Sequence, residues 1–490
     1  GDHDHVGKLQ GAPAFFHQVV AIIFDDAEKF GLWPQTHEWV YEKKWLEGFV
    51  EAVLAHEAIE TQHYSTYLQQ QRSKGIAYLN NTSYFEMGEW SLRSEQTLAL
   101  EALKEQVGTD YFDKMGIAFI KGGTWKNFFV KYHESNYLHK RMLSHSVQQD
   151  KLKKSALESL YKLQTNDVFW HGVFGGLYLP NLRDNAYRYL LEIERTQIGK
   201  TIAYSVADID MDGYEELKVL SKSLSTLFSS RWGGQMVEFG SLDALFNWQN
   251  TLMRRKEAYH DKILHPKEAP PVQKDEGGSD AIATIHSSSR INEIDESELV
   301  YDWHPKHSFI DHFSPNPFDL ETFRDVSFHE AGDFANQPFE LDAQTHTFTR
   351  IGGIHLEKKH ATDLTKRYLF EDEGVTLDLS CNSEYEGELY YGMELNIHLA
   401  HPHLALLNGQ KVGEGLSQSG IDTLSIIDTF TEKRVMLTCS QRCDFIAYTL
   451  KTVSQSESGF DTVAQQISLL FSCPFRSKLQ LKMKLEVSDV

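Results

Sequence analysis

The sequence predicts a multidomain protein of mixed α and β structure, in which the carboxyl-terminal end of a (β/α) barrel and a helical region precede a large antiparallel β-sandwich. Its 490 residues are too many for one ordinary domain. Helical periodicity prevails up to about residue 195, and short strand-like segments follow from about residue 198. We therefore expect two domains, at residues 1–195 and 196–490.

A continuous apolar run at residues 19–24 predicts one strand near the start of the chain. A run that is apolar on both faces is typical of a parallel strand covered on both sides. It ends at Asp25 and Asp26, and the carboxyl ends of such strands carry the chemistry in barrels. A complete barrel needs about seven or eight strand–helix units. Because we find one convincing parallel strand, we expect the others to lie upstream of Gly1.

Helices are predicted in the rest of the first domain because apolar residues recur there at helical spacing. The stretches with this pattern are Trp45–Leu54, Leu100–Val107, Asn136–Val147 and Leu157–Tyr161.

The second domain is predicted to be a β-sandwich because it consists mainly of short strand-like segments separated by turns. One helix is predicted within it, at Leu242–His260. Pro, Gly, Ser and charged residues at 266–297 predict a solvated insertion or linker. The predicted strands include Thr201–Val206, Tyr368–Phe370, Leu395–Leu399, Val435–Thr438 and Leu479–Met483.

The charge of the chain disfavours several classes of partner. The net charge is −22, from 70 acidic and 48 basic residues, so a phosphate backbone would be repelled and nucleic acid is not an expected partner. Neutral ligands such as sugars, or cations, fit better. No apolar run approaches the roughly 20 residues that span a bilayer, and we expect no membrane partner.

The cysteine content predicts a reduced, cytoplasmic protein. Four cysteines in 490 residues are far from a disulfide scaffold, and residues 1–8 show no signal peptide. Cys439 and Cys443 form a CxxxC motif without the second pair of ligands that a zinc site needs. The sequence leaves open whether the chain forms a homo-oligomer.

The first chemical motif is an acidic cluster beside aromatic residues, formed by Asp25, Asp26 and Glu28 with Trp33 close by. Glycosidic cleavage needs one carboxylic acid to protonate the leaving oxygen and a second carboxylate to attack or to activate water. An aromatic face such as that of Trp33 is an apolar platform for a sugar ring. The alternative is the amino terminus of a helix, where the dipole favours acidic residues.

A second motif combines Asp167, Trp170 and His171 with glycines at the end of the stretch 165–178. An acid, an indole and an imidazole within five residues predict a polar site that a backbone approaches closely. The alternative is a structural turn with a satisfied histidine. Further upstream, Glu89 and Trp90 could reach a sugar, although a core and helix-edge position is the simpler interpretation.

A third motif predicts a structural calcium site. Acidic residues at alternate positions around a glycine form an oxygen cage of the kind that Ca²⁺ prefers. The alternative is an acidic hairpin turn, but without a metal its clustered carboxylates would repel one another. The predicted ligands are Asp208, Asp210, Asp212 and Glu216.

Residues 25–34 resemble the fourth conserved region of glycoside hydrolase family 57, in its 4-α-glucanotransferase and α-amylase branch, and residues 165–178 resemble the fifth. By this resemblance Asp26 would be the general acid/base and Glu28 a substrate contact. Ala27 stands where Gly is usual, which is a mild departure. The residues that would line the donor-side sugar subsite are Asp167, Trp170 and His171.

The resemblance implies a retaining enzyme that acts on α-1,4-glucans, with maltooligosaccharides or starch-like glucans as substrate and no cofactor for the chemistry. Its glycosyl intermediate would pass to another glucan or to water, and the sequence leaves these two outcomes open. The nucleophile is expected upstream of Gly1, so the chain as given is expected to be catalytically incomplete. The alternative function is a non-catalytic carbohydrate-binding or structural remnant of such an enzyme.

Overall fold

A computed structural model of the protein describes residues 20–23, 25–33, 36–70, 75–79, 85–172, 176–266, 294–456 and 459–490. The chain forms two compact units, residues 1–79 with 271–288 and residues 80–270 with 289–490. Most of the predicted insertion at 266–297 lies outside the described residues. The units divide after Leu79, whereas the predicted domain boundary lies at residue 195.

The described part of the first unit is helical. A 3₁₀ turn at Ala27–Phe30 and a π-helical turn at Glu38–Glu42 precede helices α1 (Trp45–Ala55) and α2 (Tyr64–Gln70). The predicted helix at Trp45–Leu54 is therefore confirmed, although none of the α1 side chains is buried.

The strand predicted at residues 19–24 does not form in the part of this stretch that the structure describes. Residues 20–23 are exposed and have no regular structure. Val19 and Phe24 lie outside the described residues. Apolar, β-branched residues favour a strand, but a strand forms only where a neighbouring backbone pairs with it. The described residues of the first unit contain no other strand that could supply this pairing.

The second unit begins with a helical region whose apolar faces pack around Met87, Phe128, Leu160, Leu177 and Leu190. Three predicted helices are confirmed here, in α4, α7 and α8. Among the described residues, no helix is both long and apolar enough to cross a bilayer. The helices of this region are α3 (Phe85–Trp90), α4 (Ser94–Val107), α5 (Thr109–Lys114), α6 (Trp125–Lys131), α7 (His133–Ser146), α8 (Lys154–Leu163) and α9 (Pro180–Arg195).

A five-stranded antiparallel sheet follows the helices, in the order β1-β2-β3-β4-β5. The predicted strand at Thr201–Val206 corresponds to its first strand. Its strands are β1 (Ala203–Ala207), β2 (Glu216–Leu220), β3 (Leu224–Ser229), β4 (Gln235–Ser241) and β5 (Phe246–Asn247).

A twelve-stranded sheet completes the second unit, in the order β13-β12-β14-β15-β16-β17-β10-β9-β8-β7, with β11 pairing both β16 and β6. Two short helices, α10 (Asp261–Leu264) and α11 (Leu320–Arg324), lie between strands along the chain. The strands are β6 (Ile310–Ser314), β7 (Glu340–Asp342), β8 (Thr347–His355), β9 (Lys359–Glu371), β10 (Gly374–Ser383), β11 (Glu388–Ile397), β12 (Leu406–Leu407), β13 (Gln410–Lys411), β14 (Leu416–Asp428), β15 (Lys433–Ser456), β16 (Gly459–Arg476) and β17 (Lys478–Asp489).

The two sheets share one apolar core, which confirms the predicted sandwich. Phe228 on β3 packs against Tyr368 on β9 with 4.2 Å between ring centroids, and both belong to one buried cluster. Pairs of apolar side chains from facing sheets fill such a core by interdigitation. The predicted strand segments at 368–370, 435–438 and 479–483 all lie within strands of the large sheet.

The helix predicted at Leu242–His260 is wrong. This stretch contains β5, an extended segment and a 3₁₀ turn at Ala258–His260. Trp248 is fully buried, its indole N–H donates to Asp428 at 3.0 Å, and its carbonyl accepts from the backbone of His398 at 2.7 Å. These long-range partners favour an extended backbone over the local helical pattern.

A buried ion network holds the helical region against the small sheet. Arg141 on α7 donates to Glu238 on β4 and to Glu194 on α9, each at 2.6 Å. Lys218 on β2 lies 2.8 Å from Glu194 and 3.1 Å from Glu238. Burial alone would raise the pKa of Glu194, but the charges of Lys218 and Arg141 hold it well below its usual range. This network joins α7 and α9 to the small sheet within the second unit.

Candidate active site

The predicted site residues fall into three groups in the structure. The acidic motif around Asp26 lies in the first unit, while the Trp170 motif and the acidic loop that begins at Asp208 lie in the second.

Asp26 immediately precedes the 3₁₀ turn Ala27–Phe30, and 62% of its side chain is exposed. Lys29 forms a hydrogen bond with Asp25 and lies 3.6 Å from an oxygen of Asp26. The hydrogen bond from Lys29 lowers the pKa of Asp25. Asp25 is thus engaged by the lysine, whereas the carboxyl of Asp26 is the more open of the two to an incoming ligand.

Trp33 is placed beside this acidic group by the backbone of Glu28. The Glu28 carbonyl accepts from the N–H groups of Leu32 and Trp33 at 2.9 and 3.1 Å. The ammonium of Lys29 lies 5.1 Å from the Trp33 ring centroid, within cation–π range. The Glu28 side chain is exposed. Asp26, Glu28 and Trp33 thus lie on or beside one short turn, and their roles as acid/base and sugar contacts remain predictions.

In the second unit, Trp90 at the end of α3 stacks on Trp170, with 5.5 Å between ring centroids and 16° between ring planes. Glu89 forms an ion pair with Lys104 of α4. Asp167 lies on the turn Asn166–Phe169 that precedes Trp170, and its side chain is half-buried. Two predicted motifs that are far apart in sequence thus meet through the stacked indoles of Trp90 and Trp170.

The glycines of this motif are required by the position of Trp170. A Cβ atom on Gly172 would lie 2.5 Å from the Trp170 ring, and one on Gly176 would lie 2.2 Å from its carbonyl oxygen. Gly176 also has a φ of +57°, which favours glycine. Leu177 donates its N–H to the same carbonyl at 2.8 Å. The residues between them, 173–175, lie outside the described residues.

His171 is only 5% exposed, which fits the alternative of a histidine satisfied inside the fold. Its Nε2 lies 3.0 Å from the hydroxyl of Tyr259, and its ring centroid lies 4.4 Å from that of Tyr178. The role of His171 as a sugar contact remains a prediction.

Glu257 lies at the centre of the network around His171 and was not predicted as a site residue. Its carboxylate accepts from the hydroxyls of Tyr132 and Tyr178 at 2.8 and 2.9 Å and from Lys131 at 2.9 Å. Burial alone would raise the pKa of Glu257, but the charges of Lys131 and His171 have a larger effect in the opposite direction. The pKa of Glu257 therefore lies below its usual range. These residues are far apart in sequence, so no local pattern points to them.

The acidic loop joins β1 to β2. Carboxylate oxygens of Asp208, Asp210 and Glu216 all lie within 4.8 Å of one another. The N–H groups of Asp212 and Gly213 donate to Asp208 at 3.0 and 3.1 Å. Asp212 is outside the group of three, and its own carboxylate accepts from the Tyr214 N–H at 2.8 Å. The structure thus combines the hairpin turn with the clustered acids that the sequence predicts.

The negatively charged carboxylates in this loop repel one another. Burial and the nearby Asp212 and Asp208 charges raise the pKa of Asp210 to about 7. Burial and the Asp210 charge raise the pKa of Glu216 to about 8. A cation between these oxygens would relieve the repulsion that raises both values.

Comparison with known proteins places the chain in a family. Residues 3–80 match glycosyl hydrolase family 57, residues 123–197 match the middle domain of alpha-amylase/4-alpha-glucanotransferase, and residues 208–487 match the C-terminal domain of the same group. The 4-alpha-glucanotransferase of Thermococcus litoralis is 33% identical over 471 residues, which are 95% of this chain and 68% of the relative. The chain belongs to glycosyl hydrolase family 57.

Other relatives agree with this assignment. The alpha-amylase of Pyrococcus furiosus is 33% identical over 474 residues, 95% of this chain and 67% of the relative. The crystal structure of the Thermococcus litoralis 4-alpha-glucanotransferase superimposes with a TM-score of 0.73 at 31% identity, covering 95% of this chain and 67% of that one. The resemblance that the two motifs suggested is therefore confirmed, as is the fold class.

The three matched segments correspond to distinct parts of this family 57 chain. The segment at 3–80 coincides closely with the amino-terminal part of the first unit. The segment at 123–197 contains helices α6 to α9, and the segment at 208–487 contains the sheets from β2 onward.

Proposed function

We propose that this family 57 chain belongs to an enzyme that acts on α-1,4-glucans as a 4-α-glucanotransferase, moving a glucan chain from one maltooligosaccharide to another. The observation that carries the proposal is the 33% identity to a relative with that name, which extends through the helical region and both sheets. A relative named alpha-amylase is equally similar, so hydrolysis is the second candidate. The two candidates differ in whether another glucan or water accepts the glycosyl group.

The proposed general acid/base is Asp26. A retaining enzyme needs one carboxylic acid that protonates the leaving oxygen and then removes a proton from the acceptor hydroxyl. Asp26 supports this role because its carboxyl is exposed and remains more open than that of Asp25, which Lys29 engages. Glu28 and Trp33 would then contact the glucan beside it.

The proposed sugar contacts in the second unit are Trp90 and Trp170 with the acidic side chains around them. Stacked indoles present a rigid aromatic surface that suits the apolar face of a pyranose ring. Gly172 and Gly176 leave the space that Trp170 occupies, since a Cβ atom at either position would clash with it. Glu89 and Asp167 would accept hydrogen bonds from sugar hydroxyls, and His171 would support the cluster from its buried position.

The test of the function is incubation of the active enzyme that contains this chain with maltotriose, followed by chromatography of the products and measurement of reducing ends. A transferase should yield glucose together with maltopentaose and longer chains, while reducing ends stay constant. Rising reducing ends with shorter products alone would identify a hydrolase. Binding of maltotriose without any conversion by the enzyme that contains this chain would contradict both candidates and favour the carbohydrate-binding alternative.

We also propose that Asp208, Asp210 and Glu216 hold one Ca²⁺, with Asp212 adding negative charge beside them. Carboxylate oxygens are the ligands that Ca²⁺ prefers. The separations within 4.8 Å and the raised pKa values of Asp210 and Glu216 support this proposal. The ion would pin the hairpin that begins the small sheet.

Calcium is expected to stabilise the protein, most strongly at alkaline pH. Without the ion, the raised pKa values of Asp210 and Glu216 mean that the folded state holds protons that the unfolded state releases above about pH 4. The metal-free protein should therefore lose stability as pH rises toward 8. Bound Ca²⁺ should restore about 2.7 kcal/mol at a concentration 100 times its Kd. Thermal melts with calcium and with a chelator, at pH 5 and pH 8, measure this difference.

Two variants make the calcium test specific. Glu216→Gln should remove most of the difference between the calcium and chelator melts, because it deletes one ligand. Glu215→Gln is the matched control, since the adjacent Glu215 is exposed and outside the carboxylate group. Identical melts with and without chelator at both pH values would exclude the site.

A further inference from the structure

Strand β15 contains a pronounced bulge opposite β14. Thr438 pairs with Thr423, and Cys443 pairs with Ile421. The five-residue advance along β15 from Thr438 to Cys443 therefore lies opposite a two-residue advance along β14. The extra residues of β15 between these pairs bulge out of the ladder. β15 also changes partner here, from β17 at Cys439 to β16 at Asp444.

This bulge brings two cysteines together. Cys439 and Cys443 have their sulfur atoms 3.7 Å apart, whereas residues four apart on a regular strand are separated by about 13 Å. Both side chains are buried, at 5% and 3% exposure. Cys473 on β16 completes the group, since the Gln441 side chain in the bulge donates to its sulfur at 3.0 Å.

We propose that Cys439 and Cys443 form a reversible disulfide across the bulge when the protein meets a small oxidant such as hydrogen peroxide. The proposal is independent of the glucan activity and of the calcium site. Sulfur atoms 3.7 Å apart need to approach by less than 2 Å to reach the bond length of about 2.05 Å. A bulge outside the regular ladder can adjust in this way more easily than paired strands can.

The chemistry balances with peroxide alone. The Cys439 thiolate attacks one peroxide oxygen, the O–O bond breaks, and hydroxide leaves as a sulfenic acid forms. The Cys443 sulfur then attacks the Cys439 sulfur, so that the S–S bond forms and the S–O bond breaks. Two thiols and one peroxide give one disulfide and two waters. A small oxidant is required because all three sulfurs are buried.

The electrostatics assign the order of attack. The hydrogen bond from Cys443 lowers the pKa of Cys439, which favours the thiolate form of Cys439. The hydrogen bonds of Cys443 with Cys439 and Cys473 raise the pKa of Cys443. Cys439 is therefore the first nucleophile and Cys443 the resolving thiol. Within the described residues, no cysteine belongs to a group of three or more metal-ligand atoms, which favours disulfide chemistry over metal binding.

Peptide mapping tests the proposal on the unaltered protein. After peroxide treatment, free thiols are alkylated in denaturant and the protein is digested with trypsin, which cuts after Arg434, Arg442 and Lys451. We expect peptides 435–442 and 443–451 to appear linked, to separate on reduction, and to carry a mass two hydrogen atoms below their sum. Recovery of both peptides fully alkylated would overturn the proposal. A link from 443–451 to the Cys473 peptide would also overturn the choice of partner.

Controls distinguish this geometry from general thiol oxidation. Cys381, buried on β10, should remain fully alkylated after treatment of the folded protein, and it should become oxidised only when the protein is treated in urea. A Cys473→Ser variant should keep the link, whereas Cys443→Ser should lose it and accumulate singly oxidised Cys439. Equal oxidation of Cys381 in the folded protein would count against a specific site.

Discussion

Replacing Asp26 by asparagine is expected to lower kcat on maltooligosaccharides by about 10²–10⁴-fold in the active enzyme, the usual contribution of a positioned acid/base. The amide of asparagine is nearly isosteric with the carboxyl group but cannot donate a proton to the leaving oxygen. KM should change little, because the sugar contacts are unaltered. Initial rates of maltotriose conversion, together with circular dichroism to verify folding, measure the effect.

The adjacent Asp25 supplies a matched control for this substitution. Asp25→Asn changes the same kind of group one residue away, and its main contact is with Lys29 rather than with open solvent. It should retain much more activity than Asp26→Asn. An aryl glucoside with a good leaving group needs little protonation, so the loss caused by Asp26→Asn should be smaller on that substrate. Equal losses on both substrates, or in both variants, would contradict the assigned role.

The antiparallel part of the fold could be predicted from the sequence because its determinants are local and repeated. Side chains on β9 and β17 alternate between buried and exposed positions, with Tyr368 and Met483 both fully buried. By contrast, the strand predicted at 19–24 depends on pairing with other strands, which its own residues cannot specify. The helix predicted at 242–260 failed for a similar reason, because Trp248 is held by Asp428 of β14 and by His398, which follows β11.

The same distinction applies to the candidate site. The acidic loop was predictable because its carboxylates lie within nine residues of one another, from Asp208 to Glu216. The glycines around Trp170 were also visible locally, and the structure supplies the steric reason. The Glu257 network was missed because its partners, Tyr132 and Tyr178, lie 125 and 79 residues away in sequence.

The buried network around Arg141 gives the second large expected effect. Arg141→Met should lower the free energy of unfolding of the second unit by about 3–5 kcal/mol, because it leaves Glu194 and Glu238 buried with one cation between them. Lys218 alone cannot balance both carboxylates, which are 3% and 4% exposed. Urea denaturation at pH 7 measures the loss. Arg188→Met on the exposed face of α9 is the control and should cost no more than about 0.5 kcal/mol.

We attribute the expected loss of stability in Arg141→Met to unbalanced buried charge rather than to lost packing. Two experiments distinguish these causes. The double variant Arg141→Met with Glu238→Gln has no excess buried charge, so it should be more stable than Arg141→Met alone. The pKa values of Glu194 and Glu238 lie below their usual range in the folded protein. The stability that these two ionised carboxylates contribute is therefore complete above their unfolded-state pKa of about 4.3. It is lost as pH falls through their folded-state pKa values. The difference between the native protein and Arg141→Met should shrink below about pH 4, whereas a packing defect would keep it constant.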